Sequence, residues 1–425
     1  MDMTEEFLQF VWEQRLFTAE NLKTTGGESV EVIDPGRRNY DAGPDFFNAR
    51  IKIGDTLWAG NVEIHVSASD WERHNHQADP AYDSIILHVV QHADLPLTRA
   101  TGGEIPTLPL SYPSHLLENY QKLLAAQTWI ACQNQFHQVD HLALKIGFNR
   151  LLVERLQEKT GEIVQRLAEN NYNWNETFYQ FIARNFGFKT NALPFEMLAK
   201  SLPLSIPGKH KDHLFQLEAL LFGQAGLLHQ ELLGDEYFLQ LRSEYAFLLK
   251  KYGLKPMEGH LWKFLRLRPV NFPTIRLAQL AALLHRSSGL FSQLLETASL
   301  KEIRQLFDVE ASEYWNSHYK FNYPSKNSVK RLGETAVNTL VINTVIPFLF
   351  VYGDQHNKPH LKDRALEWLE QLPPENNSVI EKWKALGVQP VSAFETQALL
   401  QLKNRYCEAK KCLHCQVGSK LIKKN

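Results

Sequence analysis

Two acidic residues and one histidine form a motif in the first part of the chain. Asp45 follows Gly-Pro, and Glu63 and His65 stand further along in the segment Glu-Ile-His. Residues two apart on a β-strand point to the same face, so Glu63 and His65 would lie side by side. Asp45 would join them if the turn at Gly54-Asp55 set a suitable register. Two carboxylates and one imidazole can then hold Mg²⁺ or Mn²⁺.

The motif also has a purely structural interpretation. Asp45 after Gly-Pro could cap a turn. Glu63 and His65 could form the solvent face of an amphipathic strand, with Val62 and Ile64 on its apolar face.

Further polar side chains surround the motif. The candidates for a supporting or substrate role are Arg37, Arg38, Asp70, His74 and His76. His74 and His76 could orient His65 or contact phosphate if the segment after the third strand folds back over it. Arg37 and Arg38 could hold phosphate or lie in a solvated turn. His88, in an apolar strand, is more typical of a core histidine than of a ligand.

Hydrophobic periodicity predicts the elements that position these residues. Residues 4–18 have the spacing of a helix that begins at Thr4. Residues 29–36 predict one strand, and residues 46–66 predict two strands joined at Gly54-Asp55. Residues 83–92 are almost continuously apolar, as in a strand covered on both faces. The expected order is therefore helix, three strands, a short connector and a fourth strand.

The hydrophobic pattern changes after the predicted sheet, and long helical patterns dominate residues 114–300. We therefore predict an α+β protein with a small mixed α/β sheet domain at the N-terminus and a mostly α-helical body. The predicted divisions are a core at 1–112, a helical body at 113–375, and a C-terminal helix with a cysteine segment at 376–425.

Asp45 and Glu63, on strands in this order, resemble the PD-(D/E)XK nuclease core, and Pro44-Asp45 supplies its literal "PD". The resemblance covers roughly residues 4–92. It implies that Asp45 and Glu63 bind a catalytic divalent metal, while His65 stands where the superfamily has a lysine that activates or orients water. His65 could be a metal ligand or a general base. The whole chain also resembles an uncharacterised bacterial family that combines this core with a helical body and a cysteine cluster.

Four cysteines predict a second metal site. Cys407, Cys412 and Cys415 have the spacing C-x4-C-x2-C, and Cys132 is the remaining cysteine in the chain. Four thiolates could hold a 4Fe-4S cluster or Zn²⁺. His414 is a local competitor for the fourth position, and three reduced surface thiols are the alternative without a metal.

Basic residues mark candidate nucleic-acid contacts. Arg266, Arg268 and Arg276 surround a proline-bounded loop that opens a helix, and Lys410 and Lys411 stand within the cysteine segment. Guanidinium groups beside a helix N-terminus suit phosphate, and clustered lysines suit a nucleic-acid backbone. Ordinary solubilising side chains are the alternative.

Bulk properties narrow the class of protein. The chain has 425 residues, with 44% hydrophobic and 22% charged side chains, as in a folded protein of more than one domain. The acidic start lacks the basic region of a signal peptide, so we expect a cytoplasmic protein. The longest apolar run, residues 340–352, is too short to span a bilayer and predicts a buried helix or strand. Oligomeric state is left open.

Taken together, the motifs predict a metal-dependent nuclease that hydrolyses phosphodiester bonds in DNA or RNA. Two alternatives remain at this stage. One is an inactive nuclease fold that binds nucleic acid or supports assembly, with His65 in place of lysine marking lost catalysis. The other is a different metallohydrolase that uses His74 and His76.

Overall fold

The computed structural model describes residues 3–99, 102–229, 234–287 and 289–425. It is an α+β protein, as predicted: a mixed sheet near the N-terminus is followed by a mostly helical body. The strands are β1 (Val30–Asp34), β2 (Arg37–Arg38), β3 (Phe46–Ile53), β4 (Thr56–Ser67), β5 (Ile85–His92), β6 (Thr107–Pro109), β7 (His318–Lys320) and β8 (Tyr323–Pro324).

Helices make up most of the remaining described chain. They are α1 (Glu5–Glu13), α2 (Asp70–Arg73), α3 (Ser114–Ala125), α4 (His141–Ile146), α5 (Phe148–Glu169), α6 (Trp174–Phe186), α7 (Phe188–Ser201), α8 (Leu214–Gln224), α9 (Glu236–Tyr252), α10 (Pro273–Arg286), α11 (Leu290–Glu296), α12 (Leu300–Leu306), α13 (Glu313–Asn316), α14 (Glu334–Leu340), α15 (Ile346–Gln355), α16 (Pro359–Gln371), α17 (Ser378–Ala385), α18 (Ala393–Gln401) and α19 (Gln416–Ile422).

The chain forms two compact units. The first comprises residues 1–147 and 402–425, and the second comprises residues 148–401. These divisions lie away from the predicted boundaries at 112 and 375. The C-terminal residues belong to the first unit because α19 packs on α3 and the side chain of Asn119 donates to the carbonyl of Lys424.

The sheet of the first unit has the order β1-β3-β4-β5-β6, and β2 also pairs with β3. The pairs β1–β3 and β3–β4 are antiparallel, whereas β4–β5 and β5–β6 are parallel. Helix α1 packs against β4 and is capped by Thr4, whose hydroxyl accepts from the amide of Phe7. The predicted order of helix, three strands, connector and strand is confirmed, with the short β2 added.

A bulge in β3 sets the register that matters for the motif. Pairing begins at the two-residue turn with Ile53 opposite Thr56 and continues regularly to Ala49 opposite Gly60. Phe46 then lies opposite Val62, so β3 contains one residue more than β4 over this stretch. A one-residue shift moves every side chain to the other face of a sheet. The bulge therefore turns Asp45 to the face that carries Glu63.

The second unit is a helical body with its own apolar core. Helices α5, α6, α7, α8 and α10 confirm the helical patterns of the sequence. The side chain of Asn173 caps α6, and Pro194 lies inside α7, whose backbone kinks at Asn191.

The apolar run at 340–352 lies in a continuous helical stretch that joins α14 to α15 through a π-helical turn. Among the described residues, this stretch, Glu334–Gln355, is the one helix long and apolar enough to cross a membrane by length and composition. Its apolar window is 78% buried within the protein, as in a core helix.

We expect Asn48→Val to destabilise the first unit and Asn48→Gly to leave it nearly unchanged. Asn48 sits in the bulge with a φ of 57°, a left-handed conformation that glycine adopts freely and a β-branched residue resists by about 1–2 kcal/mol. Chemical denaturation of the two variants measures the difference. Equal stability of the valine and glycine variants would contradict the strained bulge.

Candidate metal centre

The two carboxyl groups of the motif lie side by side at the end of the β3–β4 pair. The amide of Asp45 donates to Oε2 of Glu63 at 3.0 Å, and the amide of Ile64 donates to Oδ2 of Asp45 at 3.0 Å. Glu63 is 5% exposed and His65 is 1% exposed, so neither lies on a solvent face of the strand.

Burial changes the electrostatics of this pair. Loss of water raises the pKa of Glu63 to about 8. Loss of water, and then the neighbouring Glu63 carboxylate, raises the pKa of Asp45 to about 7. Both groups would lose less solvation energy as neutral acids, and a bound cation would favour their charged forms. The geometry therefore suits a cation.

Three imidazoles complete the cluster. Nε2 of His65 and Nδ1 of His74 are 3.2 Å apart, and Oε1 of Glu63 lies 3.7 Å from Nε2 of His65 and 3.4 Å from Nε2 of His76. The ligand nitrogens of the three histidines lie within 4.8 Å of one another. Ligands about 2.1 Å from a tetrahedral Zn²⁺ are about 3.4 Å apart. The three nitrogens therefore form a group that could hold a transition metal, and the Glu63 carboxyl lies beside two of them.

The contact between Glu63 and His65 is not an ion pair. Burial, reinforced by the neighbouring histidines His88, His76 and His74, lowers the pKa of His65 to about 2. A neutral imidazole facing a carboxyl whose pKa is raised has little Coulomb attraction, and 3.7 Å is too long for a hydrogen bond. Neutral imidazole is, however, the form that binds a metal.

His88 supports His65 from the neighbouring strand. Nδ1 of His65 and Nε2 of His88 are 2.9 Å apart, and His88 is fully buried, with its pKa lowered to about 3, mainly by burial. If His65 uses Nε2 as a ligand atom, its Nδ1–H must donate to His88. This arrangement fixes the tautomer and orientation of His65. The core location expected for His88 is thus confirmed, and His88 also contacts the site.

Helix α1 contributes residues that sequence reasoning missed. Nε2 of Gln9 donates to Oδ1 of Asp45 at 2.7 Å, and Arg38 donates to Oε1 of Gln9 at 2.6 Å. The guanidinium of Arg38 thereby orients the amide that holds Asp45. Glu5 lies close enough for its charge to raise the pKa of Glu63 slightly further, while burial raises the pKa of Glu5 itself. Helical periodicity places Glu5 and Gln9 on one face of α1, but the sequence does not show that this face packs against the motif.

The other predicted supporting residues have different roles in the structure. Asp70 is buried, accepts from the amide of Ser67, and pairs with Arg73 at 2.6 Å, so its carboxylate holds the connector in place. Arg37 is exposed, since it points away from the face used by Arg38. His74 is exposed and leaves the cluster reachable from solvent.

The four cysteines lie in the first unit, near enough for their thiols to affect one another's pKa. Burial, and then the neighbouring Cys415, raises the pKa of Cys132 and of Cys412 to about 12. Burial and the other three thiols also raise the pKa of Cys407. Nε2 of His414 donates to Oε1 of Glu6 at 2.7 Å. Cys132, Cys412 and Cys415 are buried and Cys407 is half-buried, and no disulfide joins them.

The basic candidates are dispersed. Lys410 donates to the carbonyl of Leu124 at 2.5 Å, while Lys411 is exposed. Arg266 and Arg268 are exposed on the loop before α10, but Arg276 is 7% exposed and buried within that helix. Arg276 therefore faces the interior of its unit instead of an open surface.

We expect the metal-free protein to lose stability as the pH rises from about 5 to 9, and Glu63→Gln to reduce this loss. The folded-state pKa of Glu63, about 8, exceeds its ordinary 4.5, so between these values the folded protein holds a proton that the unfolded chain releases. At pH 9 in EDTA, the variant should be more stable than wild type by at least about 1.4 kcal/mol, the value of one pKa unit.

Urea denaturation at pH 5 and pH 9 measures this difference. Glu31→Gln, which changes an exposed acid on β1, is the matched control and should show no pH-dependent gain. A constant difference between wild type and Glu63→Gln at both pH values would contradict the buried carboxyl.

No curated protein and no solved structure matches the chain. A family model does match, over residues 5–378, which include the strand motif, the histidine connector and Cys132 but end before Cys407, Cys412 and Cys415. The chain belongs to the family described as "Protein of unknown function (DUF2851)".

Proposed function

We propose that the chain is a divalent-metal-dependent phosphodiesterase acting on nucleic acid, DNA or RNA. The observation that carries the proposal is the pairing of two carboxyl groups, the half-buried Asp45 and the buried Glu63, on the face that also presents His65. The order helix, three strands, connector and strand agrees with the resemblance to the PD-(D/E)XK core.

Each residue has a role that follows from its contacts. Glu63 and Asp45 would supply the oxygen ligands, and His65 would supply a nitrogen ligand held in one tautomer by His88. Gln9 and Arg38 would keep Asp45 in position through hydrogen bonds. A bound divalent cation would offset the negative charge of a phosphodiester and make water a stronger nucleophile near neutral pH.

A second candidate function is a metallohydrolase of another kind, centred on zinc. The observation that favours it is the group of three imidazole nitrogens from His65, His74 and His76, because Mg²⁺ prefers oxygen ligands and Zn²⁺ accepts nitrogen. The third possibility, an inactive binding module, rests on His65 in place of the lysine of the nuclease superfamily. It predicts nucleic-acid binding without cleavage.

We also propose that Cys132, Cys407, Cys412 and Cys415 bind one structural metal centre, a 4Fe-4S cluster or Zn²⁺. Support comes from the burial of the thiols and their mutual effect on the thiol pKa values. A metal centre would keep the thiolates deprotonated and tie the C-terminal segment to residues near Cys132.

We expect Glu63→Gln and Asp45→Asn each to lower the cleavage rate at least about 10²-fold, because each removes a charged oxygen ligand. The assay uses plasmid DNA, single-stranded DNA, RNA and bis(p-nitrophenyl) phosphate with Mg²⁺, Mn²⁺ or Zn²⁺. The matched control, Glu31→Gln, should retain wild-type activity.

Absence of cleavage of every substrate with all three metals would overturn the enzyme assignment, and nucleic-acid binding would then favour the binding module. Activity surviving in Glu63→Gln would remove Glu63 from the mechanism. The His74→Ala variant separates the two enzyme candidates. It should lose activity and zinc together if the imidazole group holds the catalytic metal, and it should retain Mg²⁺-dependent cleavage if the carboxyl pair does.

We expect Cys132→Ser to weaken binding of the structural metal at least about tenfold and to destabilise the C-terminal segment, because one of four thiolate ligands is lost. Metal analysis of anaerobically purified protein measures the content, and hydrogen exchange measures the segment. An iron–sulfur cluster gives brown protein, whereas zinc leaves the protein colourless. The control, His414→Ala, should keep the metal, and full metal content in Cys132→Ser would contradict the four-cysteine centre.

A further inference from the structure

The helical unit contains a cavity of about 700 Å³ at the start of α10. Cationic and amide side chains line much of its wall: Arg268, Asn271, Arg276, Gln279, Lys330 and Arg331. This volume lies within the range of pockets that bind small molecules, about 300–1,000 Å³.

Arg276 carries a buried charge without a counter-ion. Its Nη1 donates to the side chain of Gln279 at 2.8 Å and its Nη2 donates to that of Asn271 at 2.6 Å. Both acceptors are neutral amides, and the buried Nε has no hydrogen-bond partner. The guanidinium also lies 4.7 Å from the ring centroid of Phe188. A buried cation with only neutral partners is costly unless an anion joins it.

Lys330, on the same cavity wall, is likewise a buried cation without a counter-ion among the described residues. It is 3% exposed, and its ammonium donates to the carbonyls of Asn316 and Ser328 and to the Ser328 hydroxyl at 2.6–3.1 Å. Its own carbonyl accepts from Gln279, the residue that also contacts Arg276. In the described part of the chain, neither cation has a carboxylate within ion-pair distance.

The other charged residues near the cavity do not neutralise Arg276 and Lys330. Arg331 is bound by Glu310, and Glu334, the carboxylate on the cavity wall, lies 3.5 Å from Arg304. Arg268 is exposed on the lining and adds positive charge. Helix α10 also begins here, and its N-cap residue, Phe272, provides no side-chain acceptor. The positive end of the helix dipole therefore adds to the field of the cations.

We propose that this cavity binds a small phosphorylated molecule of nucleotide size, with its phosphate between Arg276, Lys330 and Arg268. A phosphate carries up to two negative charges and several acceptor oxygens, so it can offset two buried cations at once. A single carboxylate has less charge and fewer oxygens for the same wall. The proposal does not rest on the proposed function, because it concerns a different unit of the chain.

The test uses the full chain and titrates inorganic phosphate, AMP and ADP by calorimetry, with sodium chloride at matched ionic strength as background. We expect ADP to bind more tightly than phosphate, and both to bind about tenfold or more weakly to Arg276→Gln and to Lys330→Gln. Arg286→Gln lies on the same helix and changes the same charge outside the cavity, so it should bind like wild type. Glu63→Gln should also bind like wild type, which separates this site from the strand site.

Thermal melting without phosphate distinguishes lost ligand contacts from lost folding. Removal of an uncompensated buried charge should leave the melting temperature of Arg276→Gln unchanged or higher. If that variant fails to fold, the exposed Arg268→Gln serves in its place and should weaken binding. No binding of phosphate, AMP or ADP above the chloride background would overturn the proposal, as would undiminished binding by both Arg268→Gln and Lys330→Gln.

Discussion

The carboxyl groups of half-buried Asp45 and buried Glu63 lie side by side, and the first unit must hold both in place. Asp45 and Glu63 are pushed towards their neutral forms by burial, and each also needs hydrogen bonds that hold it in place. The backbone provides two of these bonds, from Asp45 and Ile64, and Gln9 provides a third. Such an arrangement is costly for stability alone, and it is the arrangement that a cation requires.

The imidazoles change which cation the site would favour. His65 is kept neutral by its surroundings and held in orientation by His88, and the connector brings His74 to His65 and His76 to the carboxyl group of Glu63. A lysine at position 65 would offer a positive charge, whereas a neutral histidine offers a ligand. If the chain has the proposed nuclease core, histidine in place of lysine would replace a charged group by a nitrogen donor, which suits Mn²⁺ or Zn²⁺ better than Mg²⁺.

The helical unit also buries ionisable groups, but these are cationic side chains instead of carboxyl groups. Arg276 and Lys330 are buried cations with neutral acceptors around them, and Glu63 is a buried acid that faces Asp45 and the imidazoles of His65 and His76. In both places, the protein keeps charges that apolar residues could replace more cheaply. A negatively charged ligand would offset the buried cations of the helical unit, and a metal ion would offset the carboxylates of the first unit.

Sequence patterns alone were enough to predict the fold class, the order of elements around the motif and the shared face of Glu63 and His65, because these follow from short-range periodicity and strand geometry. The number and spacing of the four cysteines also predict a metal site. The bulge that turns Asp45 towards Glu63, the contact of Gln9 with Asp45 and the burial of Arg276 became visible in the folded chain. These features depend on contacts between residues distant in the chain and on a one-residue shift in pairing, which local patterns do not encode.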